Sequence, residues 1–171
     1  MIVVSDTSPL NYLVLIEHVQ VLPVLFGRVV VPPAVMAELQ HAGAPALVRA
    51  WAAGPPAWLE IQPPARIDPR LGLGAGETQA ISLAQELHAD AVLIDERRAA
   101  TIARQAGLFV TGTLGVLEIA AERGLIDLVR AVAGLRQTTF RVSDQVLDGV
   151  LQRDADRRHP LSGGSDSGVR K

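Results

Sequence analysis

Asp6 and Asp95 each close an apolar run, Ile2-Val3-Val4-Ser5 in one case and Ala91-Val92-Leu93-Ile94 in the other. Carboxylates suit a hard divalent cation such as Mg²⁺ or Mn²⁺, which takes oxygen ligands, usually one or two carboxylates with water completing the shell. Two more acids fit such a set. Glu77 follows Gly72-Leu73-Gly74-Ala75-Gly76 and opens a helical stretch. Ala80, Ile81 and Ala84 lie three, four and seven residues on, which places Glu77 on the apolar face. Glu38, beside Leu39 and three residues after Val35, reads equally well as a surface acid or a ligand. Glu96 reads as a helix N-terminal acid rather than a ligand. A cation among these groups would polarise a phosphoryl oxygen and activate water without a cysteine or histidine nucleophile. The chain has no cysteine, and His18, His41, His88 and His159 lack metal-ligand spacing and read as surface residues.

For such a site to exist, strands must carry both aspartates to the rim of a sheet, where open α/β folds keep their ligand crevices. Val29-Val30-Val31 and Leu108-Phe109-Val110 supply further strands, with Leu59-Glu60-Ile61 a secondary candidate. Helix-period segments between them predict a three-layer α/β/α sandwich with a central, mainly parallel sheet. Ser8-Pro9 reads as an N-cap followed by proline at the first helical position. Pro32-Pro33 opens a helix over residues 34–40, and Gly27, Gly107 and Gly124 read as left-handed helix ends. Residues 54–76, rich in proline and glycine, read as an irregular crossing segment, not a domain boundary. After Ser143, the spacing of Val146, Leu147, Val150 and Leu151 predicts a final helix. One domain is expected over residues 1–153, with residues 154–171, which include Ser162-Gly163-Gly164-Ser165, a disordered tail.

A length of 171 residues fits one domain with a sizeable core. The net charge of −2 argues against a protein that coats nucleic acid through bulk charge. It argues less strongly against a nuclease, in which bound metal can neutralise phosphate locally. No apolar stretch approaches the ~18 residues of a membrane span. Met1 to Asp6 lacks the basic start of a signal peptide, so a cytoplasmic protein is expected. Neither a phosphate-binding P-loop nor a G-x-S-x-G elbow is present. Gly72, Gly74 and Gly76 lack the final spacing of a dinucleotide loop, and Ser8 stands where haloacid-type phosphatases need a second aspartate.

Asp6-Thr7-Ser8 at the end of the first strand, Glu38, Gly74-Ala75-Gly76-Glu77 before Thr78-Gln79-Ala80-Ile81, and Leu93-Ile94-Asp95-Glu96-Arg97 together resemble the PIN domain. Gly112-Thr113-Leu114-Gly115 is similar to the DUF3368 branch, which is grouped with toxins of the VapC type. The resemblance covers residues 2–151. It implies a Rossmann-like sandwich and a Mg²⁺- or Mn²⁺-dependent endoribonuclease, the toxin of a type II toxin–antitoxin pair. It also implies an RNA substrate, an antitoxin partner and a homodimer. Asp6, Glu38, Glu77 and Asp95 would be the catalytic and metal-binding acids. Ser8 would orient Asp6 or a bound water, and Ser8, Arg97 and Thr113 would meet the substrate. Glu77 stands where many family members have aspartate, and Arg97 and Arg98 stand where a further acid often follows, so one ion or two stays open. The rival expectation is a non-catalytic PIN-like module that holds RNA or a protein.

Overall fold

The computed structural model describes residues 1–160. Its strands are β1 (Ile2–Ser5), β2 (Arg28–Val31), β3 (Leu59–Ile61), β4 (Ala91–Leu93) and β5 (Val110–Thr111). They form one fully parallel sheet in the order β3-β2-β1-β4-β5. The chain works outward from β1 to β3 on one side, then returns to place β4 against the other side of β1. The switch point between β1 and β4 is therefore where a crevice must open at the carboxyl ends of the strands.

Nine α-helices among the described residues cover the sheet: α1 (Thr7–Leu15), α2 (Val21–Phe26), α3 (Pro33–Gln40), α4 (Ala46–Ala53), α5 (Ala75–Glu86), α6 (Arg97–Gln105), α7 (Thr113–Glu122), α8 (Leu128–Arg136) and α9 (Asp144–Arg158). Alternation along the strands divides the core in two. Val3, Val29, Val31 and Leu93 point to one face and pack with Leu10, Leu13, Leu39 and Leu117. Val4, Val30, Val92 and Ile94 point to the other and pack with Ile81 and Leu83 of α5 and Ala99 and Ala103 of α6. The expected three-layer sandwich is thus present, with one layer built mainly from α5 and α6. No helix among the described residues is long and apolar enough to cross a membrane.

Local signals explain most boundaries. Pro33 begins α3, Ser143 caps α9 by accepting the Val146 amide at 3.3 Å, and Glu96 caps α6 by accepting the amides of Arg98 and Ala99 at 2.9 and 2.7 Å. Gly27, Gly107 and Gly124 take the positive φ expected of them. Three boundaries differ from expectation. Helix α1 begins at Thr7 with Asp6 as its N-cap residue, so Ser8 is not the cap. Asp6 already has the extended backbone a cap requires, and Pro9 sits in the first turn, where its missing N–H would have no helical partner. Strand β5 runs Val110–Thr111 instead of starting at Leu108, and Phe109 is exposed. The final helix continues to Arg158, five residues beyond the expected domain end at 153, and residues 161–171 of the expected tail lie outside the described residues.

Asp154 is the physical reason for that extension. Only 4% exposed, it takes Arg158 at 2.7 Å and Arg157 at 3.4 Å. Arg157 also reaches Glu122 at 3.0 Å, and Arg153 reaches Glu118 at 2.8 Å, riveting α9 along α7. Replacing Asp154 by alanine leaves these arginines without their buried acceptor. It should cost about 1–3 kcal/mol in urea unfolding, the scale of a charge-assisted hydrogen bond. An unfolding midpoint equal to that of the unaltered protein would show that the seam contributes nothing.

Candidate functional site

The pairing of β1 with β4 continues one step past the strand, where the Asp6 amide donates to the Leu93 carbonyl at 2.9 Å. Asp6 is therefore fixed at the rim, beside the point where the chain leaves β4 through Ile94 into Asp95. The Ile94 amide in turn donates to the Thr111 carbonyl of β5 at 2.9 Å, so the ladder holds the backbone up to the residue before Asp95. The two aspartates occupy the switch-point crevice as the strand-end pattern predicts.

Asp95 is held through both oxygens. Its Oδ1 accepts the Thr113 amide at 2.7 Å and its Oδ2 accepts the Thr113 hydroxyl at 2.6 Å. Burial raises its pKa above the usual carboxylate range, while both bonds from Thr113 work against that rise. The approach is close enough to demand glycine next door, since a Cβ on Gly112 would stand 2.5 Å from Oδ1. Thr113 is itself 0% exposed, and its amide and hydroxyl together orient Asp95.

Glu38 reaches the same region from α3. Its Oε1 accepts the Gly76 amide at 3.0 Å, and its other oxygen accepts the Thr7 hydroxyl at the start of α1. A Cβ on Gly76 would lie 2.7–2.9 Å from the carboxyl atoms, so the contact between α3 and α5 depends on that glycine. Glu77, half-buried in the first turn of α5, accepts the Gly74 amide at 3.2 Å. It thus combines the charge complementarity of a helix start with a place near Asp6.

Asp6 stands apart from the other three. It is 4% exposed, and its Oδ1 is buried with no hydrogen-bond partner. Burial chiefly raises its pKa from 3.8 to about 7. The nearby Thr7 amide pulls the other way, though Asp6 makes no capping hydrogen bond. The charges of Glu77, Glu38 and Asp95, in that order, push it up further. No hydrogen bond links Asp6 to Ser8, and the neighbouring Thr7 hydroxyl donates to Glu38. Nothing in the order Asp-Thr-Ser distinguished the two hydroxyls. Helical phase did, once the helix was found to begin at Thr7.

These residues suit a hard divalent cation in donor type: carboxylate oxygens only, one of them buried without a partner. Yet among the described residues no three acidic or histidine side chains stand together closely enough to hold one ion. An all-protein cage is therefore not formed here, whereas Mg²⁺ ordinarily needs only one or two carboxylates with water completing its shell. Glu96 is committed to capping α6. Arg97 lines a cleft of about 330 Å³ with Asp95, whereas Arg98 turns toward Gly72, so the two neighbouring arginines serve different faces. On the Glu38 side lies a larger cavity of about 650 Å³ bordered by Thr7, Asn11, Leu39 and Pro45.

The Asp6 carboxyl gives a pH signature. Its proton affinity is higher folded than unfolded, so its contribution to stability is greatest below the unfolded pKa of 3.8 and is lost as pH rises to about 7. At about 1.4 kcal/mol per tenfold change in affinity, the full loss is about 4 kcal/mol. With a chelator present, the Asp6→Asn protein should therefore lack this decline, and its advantage over the unaltered protein should grow between pH 4 and 7. Parallel stability–pH curves for the two proteins would refute the assignment.

The sequence matches the DUF3368 family, a PIN domain, over residues 2–156. Among solved structures, the chain is similar to a PilT N-terminus domain protein from the archaeon Sulfolobus solfataricus P2, with 13% identity and a TM-score of 0.46. That similarity covers 84% of this chain and 100% of the other. No curated protein matches the sequence significantly. With nearly all of its described length matched and a parallel sheet that brings strand-end acids to one crevice, the chain belongs to the PIN-domain family, whose members are generally nucleases.

Proposed function

We propose that the protein is a Mg²⁺- or Mn²⁺-dependent endoribonuclease. The observation that carries this reading is the Asp6 carboxylate, buried, with one oxygen unpartnered and three further acids raising its pKa. A buried oxygen in that state gains most from a cation, and a structural acid would have acquired a donor. Asp6 and Asp95 would be the principal ligands, with Glu38 and Glu77 holding coordinated water or a second ion. The ion, when bound, would polarise a phosphoryl oxygen and lower the pKa of an attacking water. Thr113 keeps Asp95 aimed and favours its ionised form. The Gly76 amide and the Thr7 hydroxyl hold the Glu38 carboxylate in place.

On the family relationship we also propose that this nuclease acts in the cytoplasm as the toxin of a type II pair. A small antitoxin would restrain it, and a homodimer would be the working form. Expression alone should then arrest growth, and a cognate antitoxin should relieve the arrest. A second reading, a non-catalytic PIN-like module that binds RNA or protein, draws on one observation: no three acids stand close enough to share an ion among the described residues.

Cleavage separates the two. Purified protein should hydrolyse single-stranded RNA with Mg²⁺ or Mn²⁺ and not with chelator. Asp6→Asn and Asp95→Asn should each lower cleavage by about 100-fold or more while circular dichroism stays native. Full activity in both variants would remove the metal site, and no cleavage by the unaltered protein with either ion would favour the binding module.

A further inference from the structure

The cleft of about 330 Å³ beside Asp95 has a charge distribution that the whole chain hides. Arg97, Arg104 and Arg141 line it, together with backbone at Gly112 and Gly115. Arg97 and Arg104 are seven residues apart on α6, with Ala100 between them on the same face, so the helix presents two guanidinium groups along one wall. Arg141 comes from the connection between α8 and α9. None of the three forms an ion pair among the described residues, whereas Arg28, Arg70, Arg153, Arg157 and Arg158 all do. Guanidinium groups that line one cleft without an ion-pair partner keep their donors free for an anion.

The loop that brings Arg141 is anchored. Phe140 packs edge-on against Tyr12 of α1 with ring centroids 5.0 Å apart, and the Tyr12 hydroxyl lies 3.1 Å from the Thr139 hydroxyl. The Phe140 amide donates to the Thr138 hydroxyl at 3.1 Å. Arg141 is therefore presented by a braced turn. By contrast, the cavity on the Glu38 side has no lysine or arginine in its lining. Arginine is thus asymmetric about the acids: three line the cleft beyond Asp95, and none lines the cavity at Glu38, where His41 is the one basic side chain in the lining.

We infer that the Arg97–Arg104–Arg141 cleft binds the phosphodiester backbone of single-stranded RNA on one side of the cleaved bond, and so fixes which way the strand runs across the acids. This rests on the ribonuclease reading, and deepens it by assigning the substrate path. Guanidinium forks recognise phosphate oxygens without reading bases, so the cleft positions the strand and leaves sequence choice to other groups.

The test reads binding apart from chemistry. Fluorescence anisotropy of a labelled oligouridylate would be followed with chelator present, in the Asp6→Asn background, across a salt series. Adding Arg104→Ala and Arg141→Ala together should weaken binding and reduce the slope of log affinity against log salt by about 1.4, at about 0.7 for each phosphate no longer neutralised. The control pair, Arg49→Ala with Arg130→Ala, removes equal charge from exposed positions outside the cleft and should leave the slope nearly unchanged. A changed slope in a protein that never cleaves RNA would uphold the cleft and defeat the nuclease. Equal effects of the two pairs, or no binding of the oligouridylate at low salt, would overturn the cleft, even in a protein that cleaves RNA with metal.

Discussion

The parallel pairing of β1 with β4 is the constraint from which the site follows. Both strands are four residues or shorter and wholly apolar at their centres, so neither has a stable position outside the sheet. Once they pair in the register Val3 with Ala91 and Ser5 with Leu93, the next residues along each strand emerge at the same rim. Asp6 then has little freedom, because its amide belongs to the ladder and its backbone already turns into α1. The hydrophobic effect thus forces an acid into a place where its charge is disfavoured. Burial, not a neighbouring charge, is the largest contribution to the shift at Asp6.

The other three acids are held by neutral donors, mostly backbone amides. Asp95 and Glu38 depend on close approaches at Gly112 and Gly76, where a methyl group would collide with the carboxylate. Hydrogen bonds of this sort orient an acid without cancelling its charge, unlike the arginine partners that Asp154 uses in α9. The molecule thus uses two ways of handling burial of a carboxylate. One neutralises the charge and strengthens the fold, and the other preserves it and leaves a local cost.

What the sequence revealed depended on how local each signal was. The strand-end positions of Asp6 and Asp95 were readable because an apolar run followed by an acid is a contiguous pattern. The N-terminal position of Glu77 was readable from the glycines before it, and Glu96 as a cap from its place before α6. Glu38 stayed ambiguous, since its partners are Thr7 and the Gly76 amide, brought near only when α1, α3 and α5 pack. The surroundings of Ser8 and Thr113 were hidden for a related reason: the helix starts one residue before Ser8, with Asp6 at the cap position, and the complete burial of Thr113 is a property of packing. Composition concealed the arginine cleft, because a net charge of −2 averages over faces that the fold keeps apart.

Helix α1 joins two of these features mechanically. Asp6 stands at its beginning, and six residues later Tyr12 braces the turn that carries Arg141, a rise of about 9 Å along the axis. An α-helix resists compression, and the far side of this one is packed through Leu10, Leu13 and Val14 into the larger core. The helix therefore works as a strut of fixed length between the acid and the turn. Lengthening or shortening residues 137–143 would not slide Arg141 toward the acids. It would first have to unseat an aromatic pair, so the spacing is inherited from helical pitch rather than from the length of the loop.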